Sequence, residues 1–358
     1  MTNNLILLSV LALLSIGIVM VYSTSSIVAL KSFDDEYYFL KKQLFFAFLG
    51  ILLLMVGSRF PYQYWEKLAY PILALSFIGL VLVLVIGTRL GGSMRWIRFG
   101  PISVQPSECA KLGLIIYLSF FLSRKLKNVK NFSTGFLPPF IVTGILSLLV
   151  LLQPDYGTSF LLIAILFISL FVAGARILHL LLSLLLLVPL GLFLILNCPY
   201  RLKRLLAFFD PWSDPTNSGF QIIQSYLAFG SGGLFGLGLG NGRQKLFYLP
   251  EAHTDFILSV VGEELGFVGV MIIITLFFIV IFCGIKISFR ARDLFGSFLA
   301  LGLVSLVGLE ALINMGAVMG LLPTKGTTLP FISYGGSSLI VSLTAIGILL
   351  NISSQSRA

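Results

Sequence analysis

Three acids stand in short polar motifs that could support chemistry. Glu108 lies in Gln105-Pro106-Ser107-Glu108, and Asp155 in Gln153-Pro154-Asp155-Tyr156-Gly157-Thr158. Asp255 lies in Pro250-Glu251-Ala252-His253-Thr254-Asp255. Cations recur in other connecting segments: Arg89, Arg95, Arg98, Arg201, Lys203, Arg204 and Lys325. Cations gather where phosphate is recognised. A carboxylate beside them suits a general base whose pKa is raised by partial burial. The combination suggests group transfer from a phosphate or pyrophosphate donor. Pyrophosphate leaves without protonation, so one carboxylate suffices and a glycosidase's paired acids are not required. Each acid alone has a plainer explanation, because an Asp or Glu at a helix start satisfies free N–H groups and the helix dipole. As a set they favour a site.

Where such a site sits follows from composition. The chain has 358 residues, of which 58% are apolar and only 11% charged. Its mean hydropathy is +1.03. Soluble domains carry roughly 25% charged residues, and so few charges cannot coat a folded sphere. A soluble enzyme is excluded and a polytopic membrane protein expected. Net charge is +10, but the 24 Lys and Arg are scattered between apolar runs, so no basic stripe suits nucleic acid. Cys109, Cys198 and Cys283 stand apart, as do His179 and His253, so neither a disulfide framework nor a zinc site is encoded. The first apolar run lacks a basic leader and an A-x-A site, so it reads as a retained helix.

The fold class expected is all-α, with ten transmembrane helices in a single domain. Apolar runs extended to the ~20 residues that cross ~30 Å of hydrocarbon fall at about 5–22, 42–57, 68–87, 107–123, 136–152, 157–174, 177–196, 256–285, 295–319 and 334–352. The uncharged stretch 215–242 is not counted. Gly230, Gly232, Gly233, Gly236, Gly238, Gly240 and Gly242 make it a poor lipid-exposed helix. Residues 197–254 read as one long loop with amphipathic pieces at the interface. Its glycine tract reads equally as a lid or as a tight reentrant turn. Ten spans put both termini on one face, and the cluster Arg124, Lys125, Lys127 and Lys130 marks that face as cytoplasmic. Glu108, Asp155, Asp255 and Lys325 then share the outer face with Arg89, Arg95, Arg98, Arg201, Lys203 and Arg204. A lipid-linked donor fits that position. Glu263, Glu264 and Glu310 fall deeper and read as interhelical hydrogen-bonding groups. Gly262 and Gly266 form a G-x-x-x-G packing step.

The motifs also resemble a known family. Asp210-Pro211-Trp212-Ser213-Asp214-Pro215, Ser218-Gly219-Phe220-Gln221, Gly238-Leu239-Gly240 with Lys245, and Tyr248 to Phe256 are similar to the SEDS family (shape, elongation, division and sporulation). So are Gly262-Glu263-Glu264-Leu265-Gly266, Pro323-Thr324-Lys325-Gly326 and Leu329 to Ser338. The N-terminal half adds Arg95-Trp96-Ile97, Gln105 to Glu108 with Lys111, and Gln153 to Thr158. The resemblance spans about residues 10–350, and Pro-Thr-Lys-Gly leans towards the division branch over the elongation and sporulation branches.

The resemblance implies a peptidoglycan glycosyltransferase acting on lipid II in the bacterial cytoplasmic membrane, at the division septum. It implies a class B penicillin-binding protein and other division membrane proteins as partners, besides membrane lipid. It places the family's essential acid at Asp255. Arg95, Arg201, Arg204 and Lys325 become candidate pyrophosphate ligands. Glu108, Lys111, Asp155, Lys245, His253 and Ser337 are further substrate-site candidates. For Lys325, pairing with one of the acids weighs equally. For His253 a helix-capping role weighs more, and for Ser337 close helix packing does. A divalent cation, Mg or Mn, is an open reading at Asp255 or Glu108, since no ligand spacing demands one. Two other functions compete, a lipid II flippase and a non-catalytic division scaffold. Most charges lie at helix ends, which disfavours a polar route across the membrane, and a scaffold needs no cluster of acids and cations.

Overall fold

The computed structural model describes residues 2–356, apart from 91–92, 101, 246–248 and 324–325. Helices α1 (Thr2–Phe33), α2 (Tyr38–Arg59) and the short α3 (Gln63–Lys67) lead to α4 (Ala69–Ile86). Strands β1 (Thr88–Leu90), β2 (Ser93–Phe99) and β3 (Ile102–Val104) follow, and then α5 (Pro106–Lys125). Next come α6 (Leu137–Leu152), α7 (Tyr156–Val172), α8 (Ile177–Leu196), α9 (Pro199–Phe209) and α10 (Phe220–Gly232). The C-terminal part holds α11 (Ile257–Glu264), α12 (Gly266–Arg290), α13 (Leu294–Val318) and α14 (Gly336–Ser354). Helices occupy most of each expected span, with 256–285 divided between α11 and α12. Among the described residues, eight helices are long and apolar enough to cross a membrane.

The core is where helices pack on helices and not on lipid. Most of α13 and α14 is buried, whereas α8 is exposed along almost its whole length. Small residues allow the close crossings. A Cβ on Gly347 of α14 would sit 2.4 Å from the Leu54 carbonyl oxygen of α2, so glycine alone permits that contact.

Three features depart from the sequence expectation. The chain is not purely helical, because β1, β2 and β3 form an antiparallel meander with Thr88 opposite Trp96 and Ile97 opposite Val104. The expected helix 256–285 is two helices. Gly266 takes φ +69°, and a Cβ there would lie 2.3 Å from the Gly236 nitrogen. The glycine tract therefore enters the break, and the Phe267 and Val268 N–H groups donate to the Gly233 and Leu234 carbonyls. Of the G-x-x-x-G step, Gly262 meets α10, since a Cβ on Gly232 would stand 1.9 Å from its carbonyl oxygen. Gly266 meets the loop. Finally, the segment 197–254 contains two helices: α9, with Arg201, Lys203 and Arg204 among leucines, and α10, which takes in Gly230 and Gly232.

Candidate active site

Asp255 lies in the turn 251–256 that leads into α11, and its side chain is partly exposed. Burial pushes its carboxyl up to about 7, and the neighbouring Glu251 carboxylate adds to the rise. Arg204 and Arg95 oppose the shift, and Asp155 adds a smaller push upward. Besides Glu251, four residues away, three charged residues from distant parts of the chain thus act on one carboxyl. Arg95 faces it directly across Gly326. A Cβ on Gly326 would lie 3.4 Å from Asp255 Oδ2 and 4.0 Å from Arg95 Nη1. The glycine leaves open the space between a carboxylate and a guanidinium.

Arg95 is held from behind. It projects from β2, and its Nε donates to the Gln153 carbonyl at 3.3 Å. Nη2 donates to the Pro154 carbonyl, and Nη1 lies 3.9 Å from Asp155 Oδ2. Asp155 caps α7, accepting from the Thr158 N–H at 3.1 Å and from Thr158 Oγ1 at 3.0 Å. Gln105 Nε2 reaches the same carboxylate at 3.4 Å. The Gln105 N–H in turn donates to Ser337 Oγ at the start of α14, at 3.1 Å. Arg95, Asp155 and Ser337 therefore form one connected rim. The meander missing from the sequence reading is what brings Arg95 to that rim.

The other sequence candidates separate into three groups. Glu108 and Lys111 are buried between α5 and α13. Lys111 Nζ lies 2.7 Å from Glu108 Oε2 and also pairs with Glu310. This places a charged group within α13, where the sequence reading put most charges at helix ends. Lys245 is buried as well, with Nζ 2.8 Å from Glu264 Oε1 and 3.1 Å from Ser23 Oγ of α1. Glu264 also accepts from the Gly240 N–H at 3.1 Å, and Glu263 accepts from the Arg243 and Gln244 N–H groups at 2.8 and 3.2 Å. The two glutamates read as interhelical groups thus fasten the glycine loop to α11. His253 sits in an aromatic cluster, 4.8 Å from Phe39 and 5.9 Å from Tyr334 between ring centroids. Burial pushes its imidazole below the ordinary value, which leaves it neutral at pH 7. Lys325 lies outside the described residues, as does the side chain of Arg201, whose backbone belongs to α9.

Sequence reading missed Asn314, Ser333 and the role of Gly326. Asn314 is fully buried in α13, and its amide touches the Asp255 loop. A lone Asn in an apolar helix is a usable signal, because polar groups at membrane depth are expensive.

Comparison with known proteins matches this geometry to a family. The FtsW/RodA/SpoVE family model, described as "Cell cycle protein", matches residues 3–358. The chain belongs to this family. A probable peptidoglycan glycosyltransferase FtsW of Geobacter metallireducens is 51% identical, over 98% of this chain and 94% of that protein. Stage V sporulation protein E of Bacillus subtilis is 45% identical, over 99% and 97%. A solved chain from a peptidoglycan synthase complex that coordinates polymerization and crosslinking superposes with a TM-score of 0.80 at 31% identity, covering 98% of this chain and 96% of that one. As an FtsW/RodA/SpoVE member with these apolar helices, the chain is a multi-pass membrane protein.

Proposed function

We propose that this membrane protein is a peptidoglycan glycosyltransferase that polymerises lipid II, with Asp255 as its general base. The observation that carries the reading is the Asp255 carboxyl, raised to about 7 and set across an open gap from Arg95. A base poised near the operating pH holds both the ionised form and the drive to take a proton. The Asp255 carboxylate accepts the proton of the acceptor GlcNAc 4-hydroxyl. That oxygen forms a bond to the anomeric carbon of the donor MurNAc, with inversion. The bond from that carbon to the pyrophosphate oxygen breaks, and its electron pair leaves on undecaprenyl pyrophosphate. Arg95 and Arg204 offset the charge of the leaving group, and Arg201 and Lys325 are further candidates from the sequence. Among the described residues no three His, Cys, Asp or Glu side chains are placed to hold a metal ion together. A Mg or Mn ion at Asp255 would therefore take most of its ligands from pyrophosphate and water.

The 51% identity to a protein named FtsW supports a role in division at the septum. A class B penicillin-binding protein is the partner that a synthase complex of polymerization and crosslinking suggests. We put both termini in the cytoplasm on the strength of the Arg124, Lys125, Lys127 and Lys130 cluster, and Asp255 then lies on the outer face, where lipid II is consumed. The test is polymerisation of labelled lipid II by purified protein in liposomes, with and without a cognate class B penicillin-binding protein. Asp255→Asn should make no glycan chains while keeping the folded elution profile. Full-length polymer from that variant overturns the base assignment. Lipid II translocation by the wild type without any polymer overturns the enzyme in favour of the flippase.

A further inference from the structure

The turn that carries Asp255 presents three successive backbone carbonyls away from any helix, and each is met by a different group. The Tyr334 N–H donates to the His253 carbonyl at 3.0 Å. Ser333 Oγ donates to the Thr254 carbonyl at 2.6 Å and accepts from the Leu329 N–H at 2.9 Å. Asn314 Nδ2 donates to the Asp255 carbonyl itself at 2.8 Å. The same Asn314 nitrogen donates to the Thr327 carbonyl at 2.6 Å, one residue from Gly326. One amide group therefore ties the residue bearing the carboxylate to the loop that bounds the gap in front of it. A nitrogen facing two carbonyls fixes the orientation of the amide, because the flipped form would set oxygen against oxygen.

The chemistry explains the residue type. Bridging two acceptors from one short side chain takes an NH₂ group. A Ser offers one hydrogen, an Asp offers none when ionised, and a Gln would add a methylene to a fully buried side chain and move its NH₂ off both carbonyls. Asn314 Oδ1 and Thr327 Oγ1 are both buried and have no protein partner. Two such atoms beside one bridge suit an ordered water, which would complete the connection. Glu310, one helical turn earlier on α13, is engaged by Lys111 of α5. The stretch of α13 that carries Asn314 is thereby anchored to a neighbouring helix.

We infer that Asn314 is a positioning residue for the transferase reaction. It ties the Asp255 turn to the 326–328 loop, and so fixes where the Asp255 carboxylate stands relative to Gly326 and the gap in front of it. This inference rests on the assignment of Asp255 as base. A misplacement of about 1 Å in such a gap can cost 10²-fold in rate, whereas binding of the long substrate at other contacts is untouched.

The experiment uses the full-length protein in detergent or liposomes with labelled lipid II. Asn314→Ala should lower kcat at least tenfold and change KM less than threefold. Amide exchange should rise together in segments 250–258 and 326–330 and stay at wild-type levels elsewhere in α13 and in α14. Asn314→Ser keeps one donor and should fall between wild type and Ala on both measures; it also serves if the Ala variant does not fold. Wild-type kcat in both variants, or exchange that rises in only one of the two segments, overturns the bridge. The two readings fail separately. Active Asp255→Asn removes the base, whereas inactive Asp255→Asn with fully active Asn314→Ala removes only the positioning role.

Discussion

Replacing Gly326 with Ala tests the gap between Asp255 and Arg95 with the smallest probe available. The added Cβ would stand 3.4 Å from Asp255 Oδ2 and 4.0 Å from Arg95 Nη1, both ordinary van der Waals distances. Gly326 is exposed and its backbone does not need a positive φ, so Ala fits without strain. The folded protein should lose no stability, and reduced freedom of the unfolded chain can add about 0.4–1 kcal/mol. Catalysis should respond differently. An acceptor hydroxyl donating to the carboxylate must put its oxygen about 2.7 Å from Oδ2. A methyl carbon 3.4 Å from the same atom occupies that approach. Displacing the hydroxyl by about 1 Å predicts a loss near 10²-fold in kcat/KM, which is about 2.7 kcal/mol of transition-state stabilisation. The assay pairs glycan-chain formation from labelled lipid II with thermal unfolding in the same detergent. Wild-type polymerisation by Gly326→Ala refutes the claim that the reacting hydroxyl passes between these two side chains. A large drop in unfolding temperature refutes the steric reasoning.

The elevated carboxyl of Asp255 sets two pH dependences. Activity should rise with pH through about 7 as the carboxylate forms, and Glu251→Gln should move that rise to lower pH by removing a neighbouring negative charge; an unmoved profile would exclude Glu251 as a cause. Stability should run the other way. The folded state keeps a proton that the unfolded state releases near 3.8, so stability falls as pH rises from about 4 to about 7. The loss is at most about 4 kcal/mol for a shift of this size. Asp255→Asn should therefore unfold at a higher temperature than wild type at pH 8 and show a smaller difference at pH 5, and equal differences at both pH values would refute the shift. Lys245→Met should cost about 3 kcal/mol or more, because it leaves the Glu264 carboxylate buried without its cation; thermal unfolding measures it, and an unchanged midpoint would mean that Ser23 and Gly240 alone satisfy the acid.

The helices were legible because each apolar run is interrupted by charges or turn residues, and lipid rewards that pattern directly. The break at Gly266 was not, since the approach of Leu234 and Gly236, some thirty residues earlier, requires it. The meander had a local signal in the turn residues Gly91-Gly92 and Gly100-Pro101 around Met94-Arg95-Trp96-Ile97-Arg98. In so apolar a chain the run reads as an outer loop. Among site residues, charge was visible and partnership was not. Lys245 meets a carboxylate 19 residues away and Lys111 one that is 199 residues away. Nothing local distinguishes Lys245 from Arg95, which faces the gap, and for Lys111 the sequence offers only its nearer partner, Glu108. Asp255 was legible through its motif, whereas Asn314 and Gly326 matter only through contacts that folding creates.

The end of the bundle that holds Asp255 is built from irregular backbone, residues 251–256 and 326–335, and this imposes a constraint on how the site can evolve. Irregular segments at membrane depth survive only where other protein groups satisfy their N–H and C=O groups. Here Asn314 and Ser333 serve the Asp255 and Thr254 carbonyls, and the Tyr334 N–H serves the His253 carbonyl. Satisfying the backbone and fixing the position of Asp255 are thus one set of hydrogen bonds. Substitutions in that set should disturb stability and rate together. Gly326 makes none of them, so there the rate can be changed while those bonds are left intact. The contrast between Gly326→Ala and Asn314→Ala therefore separates the width of the gap from the bonds that hold it open.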